Sequence, residues 1–207
     1  MPFYSHHVYP HLVRVLGNPE PFRKVREKLI PWGQGTVLEI GVGPGVNFGY
    51  YDPAKVTKVY ALEPNPGMIR LADAERQRTA LEVEFLEFPG ERIPLDDRSV
   101  DTVVSTFTFC SIPNVVVAMA GIRRVLRPGG RVIFFEHGLS PHRRVQRWQK
   151  CLEPITRCVF HGCHITRETP NLLTQAGFDI EQMESGYLAP FPKSLTYCWW
   201  GTACQRT

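Results

Sequence analysis

The sequence predicts an α/β fold built on a Rossmann-like, doubly wound sheet of seven strands, most of them parallel. Five segments between residues 36 and 137 are short runs that are apolar throughout, which is typical of strands buried on both faces. Helical stretches alternate with these segments, and this alternation favours a parallel sheet with right-handed crossovers. Two more strand-like segments near the C-terminus predict an antiparallel hairpin at the sheet edge.

The apolar segments and the helices between them follow one another at the spacing of strand–helix units. The first segment, 36–40, reads TVLEI, and the fifth, 131–137, reads RVIFFEH. The other three segments occupy residues 58–63, 83–88 and 100–107, and helices are predicted over 66–78 and 113–126.

The C-terminal third predicts two helices before the edge hairpin. A basic helical segment runs from 141 to 158, and a second helix begins at 169–170 and ends at 176–177. Proline in its first turn and glycine just past its end are the usual boundaries of a helix. The segments FDIEQMES and TYCWWGTAC then supply the two edge strands. We expect core or edge-strand packing for Trp148, Trp199 and Trp200.

Composition and charge exclude several classes of protein. The 207 residues, 43% of them hydrophobic, suffice for one domain with a sizeable core. The net charge of +4 is far from that of a nucleic-acid-binding domain, so we expect no nucleic-acid partner. No run of 18 apolar residues predicts a transmembrane segment, and no secretory signal is present. Six dispersed cysteines without a CxxC pair favour a reducing cytoplasm.

The N-terminal region predicts one or two helices over residues 12–30, interrupted by the sequence GNPEP. The second helix carries a basic face formed by Arg23, Lys24, Arg26 and Lys28. We interpret this face as a solvated helix surface. The less favoured alternative is contact with an anionic membrane surface or an acidic substrate.

The sequence LEIGVGPG places three glycines directly after the first predicted strand. Ligands of doubly wound sheets bind at this end of the strands, and Gly41, Gly43 and Gly45 leave the backbone bare for close approach. The spacing GxGxG differs from the GxGxxG of dinucleotide sites, and no lysine follows as a P-loop requires. Glu39 inside the strand would repel a phosphate, so the loop is better suited to a cationic ligand.

Glu63 closes the second predicted strand in the sequence ALEPNPGM. An acidic residue at this position can accept hydrogen bonds from both hydroxyls of a ribose. The alternative interpretation of a glutamate at a strand end is ordinary solvent exposure. Taken together with Glu39 and the glycines, Glu63 favours a ribose-binding role.

Four motifs resemble, in the same order, those of the class I S-adenosylmethionine-dependent methyltransferases. They are LEIGVGPG, LEPNPGM, DTVVSTFTFCSI and VLRPGGRVIFFEH, which extend from about residue 36 to residue 137. The resemblance implies S-adenosylmethionine as the cofactor, with S-adenosylhomocysteine as product. It places Glu39 and the glycines around the amino-acid end of the cofactor, Glu63 on the ribose and Met68 against the adenine. The implied cofactor-binding positions are Glu39, Gly41, Gly43, Gly45, Glu63, Pro64, Met68, Gly90, Glu91 and Thr106.

The stretch after the third predicted strand departs from the family pattern. The family commonly places an acid there that accepts from the adenine amino group, whereas Pro89 stands at that position in FPGERIPL. The Gly90 amide can still bond an adenine ring nitrogen, and Glu91 is a candidate for the amino-group contact. An exposed loop acid is the alternative for Glu91. The departure also raises the alternative of a non-enzymatic protein that binds the cofactor without turnover.

The second half of the chain resembles a narrower group. TFTFCSIPN, FFEHG, RRVQRWQKCLEP and GCHITRET are similar to motifs of the alkyl-thiol S-methyltransferases (the methyltransferase-like seven group) and of bacterial small-molecule relatives. This resemblance implies a small-molecule thiol as methyl acceptor. N- or O-methylation of a small molecule or a phospholipid amine is the alternative, motivated by the basic patch at 23–28. The animal members carry a hydrophobic N-terminal anchor that this sequence lacks, so we expect a soluble, cytoplasmic protein.

The resemblance also implies a division of the chain into functional segments. Residues 1–34 are expected to form a helical lid, and residues 35–207 the methyltransferase domain. Within that domain, residues 139–168 are expected to form a helical insertion on the substrate side. Tyr4 and His7 in the lid segment are candidates for contact with the substrate.

Candidate catalytic residues follow the fourth and fifth predicted strands. His137 is a candidate for substrate contact or proton acceptance, and a structural strand-end histidine is the alternative. Cys110 is the second candidate, although a buried cysteine more often serves as a small apolar packing residue. His164 in CVFHGCH is a candidate substrate contact. We expect no metal, because adjacent Cys163 and His164 cannot easily both face one tetrahedral ion.

Overall fold

A computed structural model describes residues 3–188 and 191–206. Residues 1 and 2 of the predicted lid, and residues 189, 190 and 207 of the predicted methyltransferase domain, lie outside the described residues. Seven strands form a single sheet. They are β1 (Gly35–Ile40), β2 (Val56–Leu62), β3 (Val83–Leu86), β4 (Val100–Thr106), β5 (Leu126–His137), β6 (Phe178–Tyr187) and β7 (Tyr197–Gln205).

The strand order is β3-β2-β1-β4-β5-β7-β6, which is that of a doubly wound sheet whose order reverses beside β1. The strands β1 to β5 pair with one another in parallel register. The strand β7 pairs antiparallel with both β5 and β6, so the C-terminal strands form the predicted antiparallel edge. The predicted fold class is therefore confirmed.

Helices lie on both sides of the sheet, and all but the short α7 (Lys193–Thr196), which the sequence did not predict, match the predicted helical stretches to within a few residues. A π-helical turn, Tyr4–Val8, precedes the first of them. Within the described part of the chain, every helix is too short or too polar to cross a bilayer. The helices are α1 (Tyr9–Leu16), α2 (Glu20–Leu29), α3 (Pro66–Arg76), α4 (Val115–Val125), α5 (Arg143–Val159), α6 (Thr169–Gln175) and α7 (Lys193–Thr196).

Two apolar layers sandwich the sheet. On one face, Met119 of α4 packs in the same buried cluster as Val103 of β4. On the other face, Leu29 of α2 packs in a second buried cluster with Val37 of β1 and Phe135 of β5. Each of these side chains contributes roughly 1.5–3 kcal/mol through burial, and together they fix the strand ends that form the site.

The N-termini of α3 and α4 are fixed by asparagine caps beside the strand ends. The Asn65 side-chain oxygen accepts from the Gly67 N–H at 2.8 Å, and Pro66 occupies the first helical position. The Asn114 side-chain oxygen accepts from the Val117 N–H at 3.3 Å. Such caps each stabilise a helix by about 1 kcal/mol and determine where the helix begins.

The fifth strand begins five residues earlier than predicted, at Leu126. Leu126 pairs with Val100, after which the register shifts before Thr102 meets Arg131. The LRPGG segment is therefore an irregular beginning of the strand, which the sequence placed only from residue 131. Gly129 takes a φ of 79° in this irregularity, a value that glycine adopts without strain.

The expected core position of Trp148 is wrong, because its side chain is 67% exposed. The helix α5 instead turns Gln149 inward, where its amide donates to the carbonyls of Gly138 and Ile165 at 2.9 and 3.2 Å. Trp200, by contrast, is buried on β7 as expected. A buried polar side chain thus sets the orientation of this helix.

The basic patch on α2 proves to be largely paired with acids. Arg26 departs from the patch altogether, since it is buried beneath the helix and only 3% exposed. The interpretation as a solvated surface therefore holds for Arg23, Lys24 and Lys28 and is wrong for Arg26. The ion pairs on this helix are Arg23 with Glu27, Lys24 with Glu20, and Lys28 with Glu184.

Gly45, the last glycine of the loop that follows β1, is required by packing. Gly45 has a φ of 78°, and a Cβ placed on it would lie 2.9 Å from the Cα of Ala72 in α3. Because Cβ atoms essentially never approach a backbone carbon this closely, any side chain at position 45 would displace α3 from the loop.

We predict that Gly45→Ala destabilises the protein more than Gly129→Ala does. Both glycines have nearly the same positive φ, but a Cβ on Gly129 would have no atom within 4 Å. Gly129→Ala should cost about 1–2 kcal/mol of backbone strain, and Gly45→Ala about 1–3 kcal/mol more through overpacking. Urea unfolding measures both losses. Equal losses would contradict the packing role of Gly45.

Candidate active site

A cavity of about 600 Å³ opens at the carboxyl ends of the parallel strands. Its walls include Gly41 after β1, Glu63 after β2, Thr106 at the end of β4 and His137 at the end of β5. Parallel α/β sheets bind ligands at this end, beside the point where the strand order reverses. The fold therefore brings candidates from four separate strands into one cavity.

Glu63 is held by the two loops that flank it. Its carboxylate accepts from the backbone N–H groups of Gly43 and Asn65, each at 3.0 Å. The side chain is only 8% exposed, and burial raises the pKa of Glu63 to about 7 although both N–H groups oppose that shift. A carboxylate has about four acceptor positions, so two remain for the hydroxyls of a ribose.

The middle glycine of the loop leaves room for a ligand. Gly43 has a φ of 55°, and a Cβ on it would lie 3.9 Å from the carbonyl oxygen of Gly41, an ordinary van der Waals contact. Gly41 and Gly43 line the cavity, and Gly45 is not part of the wall. The loop after β1 thus combines two glycines at the cavity with a third that packs against α3.

Glu39 lies behind the cavity wall. It is 1% exposed, and its two carboxylate oxygens accept from Asn47 Nδ2 at 2.8 Å and from the Tyr51 hydroxyl at 2.7 Å. Asn47 lines the cavity and also donates to Thr106 Oγ1 at 3.0 Å. In this structure Glu39 therefore acts on the cavity through Asn47, a residue that the sequence interpretation missed.

Arg26 completes this buried network from α2. Its Nε donates to Asn47 Oδ1 at 3.0 Å, and its guanidinium lies 5.6 Å from the centroids of the Phe107 and Phe135 rings. Burial lowers the pKa of Arg26 to about 10, so the group remains a cation at neutral pH. A sequence signal existed, since Arg26 lies among the buried positions Phe22, Val25 and Leu29 of this helix.

The implied adenine positions gather on the side of the cavity next to α3. Pro64 and Met68 line it together with Gly90 and Glu91. Glu91 Oε1 already accepts from the Asn114 N–H at 3.0 Å, at the beginning of α4. The acid at this position therefore also helps to fix a helix end.

Glu136, like Glu39, is a buried carboxylate with a structural role. The sequence interpretation missed it. It is completely buried and accepts from Ser105 Oγ at 2.6 Å and from the N–H groups of Thr108 and Phe109 at 3.0 Å. Burial raises the pKa of Glu136. An acid inside the apolar run VIFFEH was the available signal, and in the structure it orders the loop after β4.

Cys110 lies in the loop that Glu136 orders and lines the cavity. Its Sγ is 3.5 Å from that of Cys163, which also lines the cavity, and both thiols are buried. The neighbouring Cys163 thiol and burial raise the pKa of Cys110 well above its usual value. A nucleophilic role would need the thiolate, so this geometry favours packing.

His137 meets the cavity at the end of β5. Its ring centroid is 4.5 Å from that of Phe107, and its Nδ1 lies 3.9 Å from Cys198 Sγ. The ring is partly open to the cavity but enclosed by protein, and burial lowers the pKa of His137 to about 4. The imidazole is therefore neutral at physiological pH and only weakly basic.

Tyr4 and His7, which the sequence suggested as substrate contacts, do not line the cavity. Tyr4 donates to the Val159 carbonyl at 2.8 Å and stacks on His161, which lines the cavity. Neither Tyr4 nor His7 is part of the cavity wall, although the neighbouring segment contributes Ser5, His6 and Tyr9 to it.

His164 is likewise not part of the cavity wall and lies with Nδ1 3.1 Å from Glu153 Oε1. Cys163 faces Cys110, and Cys158 is exposed. Across residues 3–188 and 191–206, no three His, Cys, Asp or Glu side chains converge as metal ligands would. The cysteine and histidine side chains of CVFHGCH therefore lie in different environments and do not form one site.

The buried carboxylates predict how stability depends on pH. Burial raises the pKa of Glu39 to about 7, so its stabilising contribution is complete below about pH 4.5 and is lost as pH rises through 7. Glu39→Gln should therefore reduce the loss of unfolding free energy between pH 5 and 8 by about 1–3 kcal/mol. The exposed control Glu87→Gln should keep the wild-type profile. Parallel profiles for wild type and Glu39→Gln would contradict this account.

Comparison with known proteins agrees with this geometry. A family model described as a methyltransferase domain matches residues 38–134. Thiol S-methyltransferase TMT1B of Homo sapiens is 35% identical over 191 residues, which cover 85% of this chain and 77% of the human protein.

Solved structures show the same fold. A chain from the complex between the Haloferax volcanii Trm112 methyltransferase activator and a methyltransferase matches with a TM-score of 0.73 at 17% identity, over 98% of this chain and 96% of that chain. A SAM-dependent methyltransferase from Methanosarcina mazei matches with a TM-score of 0.66 at 22% identity, over 83% and 92%.

In this chain, the glycine loop after β1 and the acid after β2 lie at the carboxyl ends of adjacent strands and both line the cavity. The open backbone at Gly43 and the spare acceptor positions of Glu63 fit the amino-acid and ribose parts of S-adenosylmethionine. The chain belongs to the class I S-adenosylmethionine-dependent methyltransferases, and the thiol S-methyltransferases are among its relatives.

Proposed function

We propose that this methyltransferase transfers the methyl group to a small-molecule thiol. Five of the residues that line the cavity form what we call the acceptor wall. The observation that carries the proposal is that these five residues offer aromatic, thiol and weakly basic imidazole groups and no carboxylate. The similarity to thiol S-methyltransferase TMT1B supports it. The acceptor wall comprises Phe107, Cys110, His137, Phe160 and Cys163.

The cofactor residues have separate tasks in this proposal. Bound S-adenosylmethionine supplies a methyl group that its sulfonium already activates. Glu63 accepts from the ribose hydroxyls while its bonds to the loop N–H groups hold it in place. Gly43 gives the amino-acid end close access to the backbone, and Asn47 presents polar groups that Glu39 and Arg26 orient. Met68 provides an apolar surface for the adenine.

The acceptor wall discriminates among nucleophiles by charge. An alkyl amine is a cation at neutral pH, because the pKa of an alkyl ammonium group such as that of lysine is about 10. Binding it would call for a carboxylate, and the acceptor wall defined above contains none. The carboxylates among the described cavity-lining residues are Glu63 and Glu91, both on the nucleoside side. The wall is therefore better suited to a neutral or anionic acceptor.

The weak basicity of His137 separates thiols from phenols and alcohols. A thiol with a pKa near ~8.5 is already about one-tenth thiolate slightly above neutral pH. Alcohols and phenols ionise much less and need a base, which a histidine of pKa about 4 does not provide. In our proposal His137 accepts a hydrogen bond from the bound thiol, and the Arg26 cation behind Phe107 favours the thiolate.

We also propose that the first part of the predicted lid 1–34, before α2, covers the cavity, while α2 belongs to the core. In the methyltransferase domain of residues 35–207, residues 139–168 would then form the substrate side. Asn65 Nδ2 donates to the Ser5 carbonyl at 2.9 Å, beside the nucleoside side of the cavity. The adjacent Tyr4 donates to Val159 at the end of α5. The segment thus contacts both sides of the cavity, as a lid that excludes water would.

We predict that Glu63→Gln weakens the binding of S-adenosylhomocysteine by about 1–3 kcal/mol, since the ribose loses a charge-assisted acceptor. Isothermal titration calorimetry measures the change. The matched control Glu87→Gln, at an exposed position outside the cavity, should bind like the wild type. An unchanged affinity for Glu63→Gln would remove Glu63 from the ribose role.

We predict methyl transfer to thiols in preference to amines and phenols of similar size. The value of kcat/KM should rise with pH through the pKa of the thiol and show no separate inflection from a protein base. His137→Asn should lower kcat/KM by less than about tenfold, whereas loss of a general base costs about 100- to 10,000-fold. Formation of S-adenosylhomocysteine measures turnover with each acceptor. If amines or phenols are methylated and thiols are not, the thiol assignment is refuted.

A further inference from the structure

The outer face of α5 carries a stripe of exposed apolar and thiol side chains. Trp148 is 67% exposed and Ile155 is 59% exposed, two helical turns further along. Cys151 and Cys158 are exposed between and beyond them. The spacing of i, i+3, i+7 and i+10 places all four side chains on one side of the helix. A tryptophan and an isoleucine exposed together on one helix face are unusual for a surface that meets only water.

A second stripe on the same helix is basic. It consists of four exposed residues at spacings of i, i+4, i+7 and i+14, and it runs beside the apolar stripe. The adjacent Arg144 is also exposed. The residues of the basic stripe are Arg143, Arg147, Lys150 and Arg157.

These cations form no ion pair with any carboxylate in the described part of the chain. Over residues 3–188 and 191–206, none of them has a carboxylate within 4.0 Å. Glu153 is the acid that the helix contains, and it binds His164 and the N–H of Thr166 instead. The helix α2 differs, since its surface cations pair with glutamates. The outer face of α5 is thus both apolar and positively charged.

We propose that α5 docks onto an anionic lipid bilayer, with Trp148 and Ile155 at the interface and the basic stripe against the headgroups. Amphipathic helices with this arrangement lie in the plane of the interface, where tryptophan is favoured. Basic residues near an anionic surface each contribute to binding. Ile155 argues against a nucleic acid as partner, because an aliphatic side chain offers neither stacking nor a hydrogen bond to a polynucleotide.

Only the helix α5 separates the docking face from the cavity. The buried side of α5 contributes Thr156 to the cavity wall, and the loop that follows contributes Phe160, Cys163 and Ile165. Docking through α5 would therefore place the acceptor side of the cavity close to the lipid surface. The binding proposal does not depend on the identity of the acceptor and can be tested without turnover.

The test uses the intact protein and vesicles of phosphatidylcholine with 30% phosphatidylserine at about 0.1 M salt. We expect co-sedimentation with these vesicles and little binding to pure phosphatidylcholine or at high salt. Trp148 emission should shift to the blue on binding, and Trp148→Phe should retain binding while losing most of that shift. Binding that is equal on pure phosphatidylcholine would contradict the electrostatic part of the proposal.

A pair of matched variants locates the surface. The triple variant Arg143→Gln, Arg147→Gln, Lys150→Gln should bind the anionic vesicles at least about tenfold more weakly. The control triple Arg23→Gln, Lys24→Gln, Lys28→Gln removes the same charge from α2 and should bind within about twofold of wild type. Circular dichroism checks that both fold.

Three outcomes would overturn the proposal. They are absence of vesicle binding by the wild type, equal losses in the two triple variants, and stronger binding to a 20-nucleotide single strand than to the vesicles. The last outcome would assign the basic stripe to nucleic acid.

Discussion

Three buried carboxylates at the carboxyl ends of β1, β2 and β5 determine the shape of this active site. Glu39 on β1, Glu63 after β2 and Glu136 on β5 are almost inaccessible to solvent. Burying a carboxylate is unfavourable unless hydrogen-bond donors surround it, and the donors here come from the loops that line the cavity. Each acid therefore stabilises one loop conformation, and the loops in turn bring Asn47, Gly43 and the residues near Cys110 to the cavity.

The polarity of the cavity follows from this arrangement. Acidic and amide groups gather on the nucleoside side, whereas the acceptor wall consists of aromatic, thiol and neutral imidazole groups. Arg26 brings a positive charge to the cavity beside Phe107. Catalysis in this account rests on positioning and on the exclusion of water, with ionisation left to the acceptor itself. This division favours a thiol, which ionises near neutral pH without a strong base.

The sequence predicted the features that depend on local pattern. The buried strands were found because parallel strands are apolar throughout, and the glycine loop and Glu63 because they follow strands directly. Features set by tertiary contacts were not predicted: Arg26 meets Asn47 across 21 positions, and Glu136 meets Thr108 across 28. Trp148 was misplaced because Gln149 binds the backbone and turns the helix. The roles of His137 and Cys110 depend on burial, which a single sequence does not reveal.

A crystal structure of the complex with S-adenosylhomocysteine tests the central claim most directly. The account predicts both ribose hydroxyls at about 2.5–2.8 Å from the Glu63 carboxylate, with Gly43 and Asn65 still bound to it. It also predicts the amino-acid end beside Gly43 and Asn47, and the thioether sulfur facing the acceptor wall. A ribose bound away from Glu63, or a sulfur directed toward the α3 side, would contradict the account.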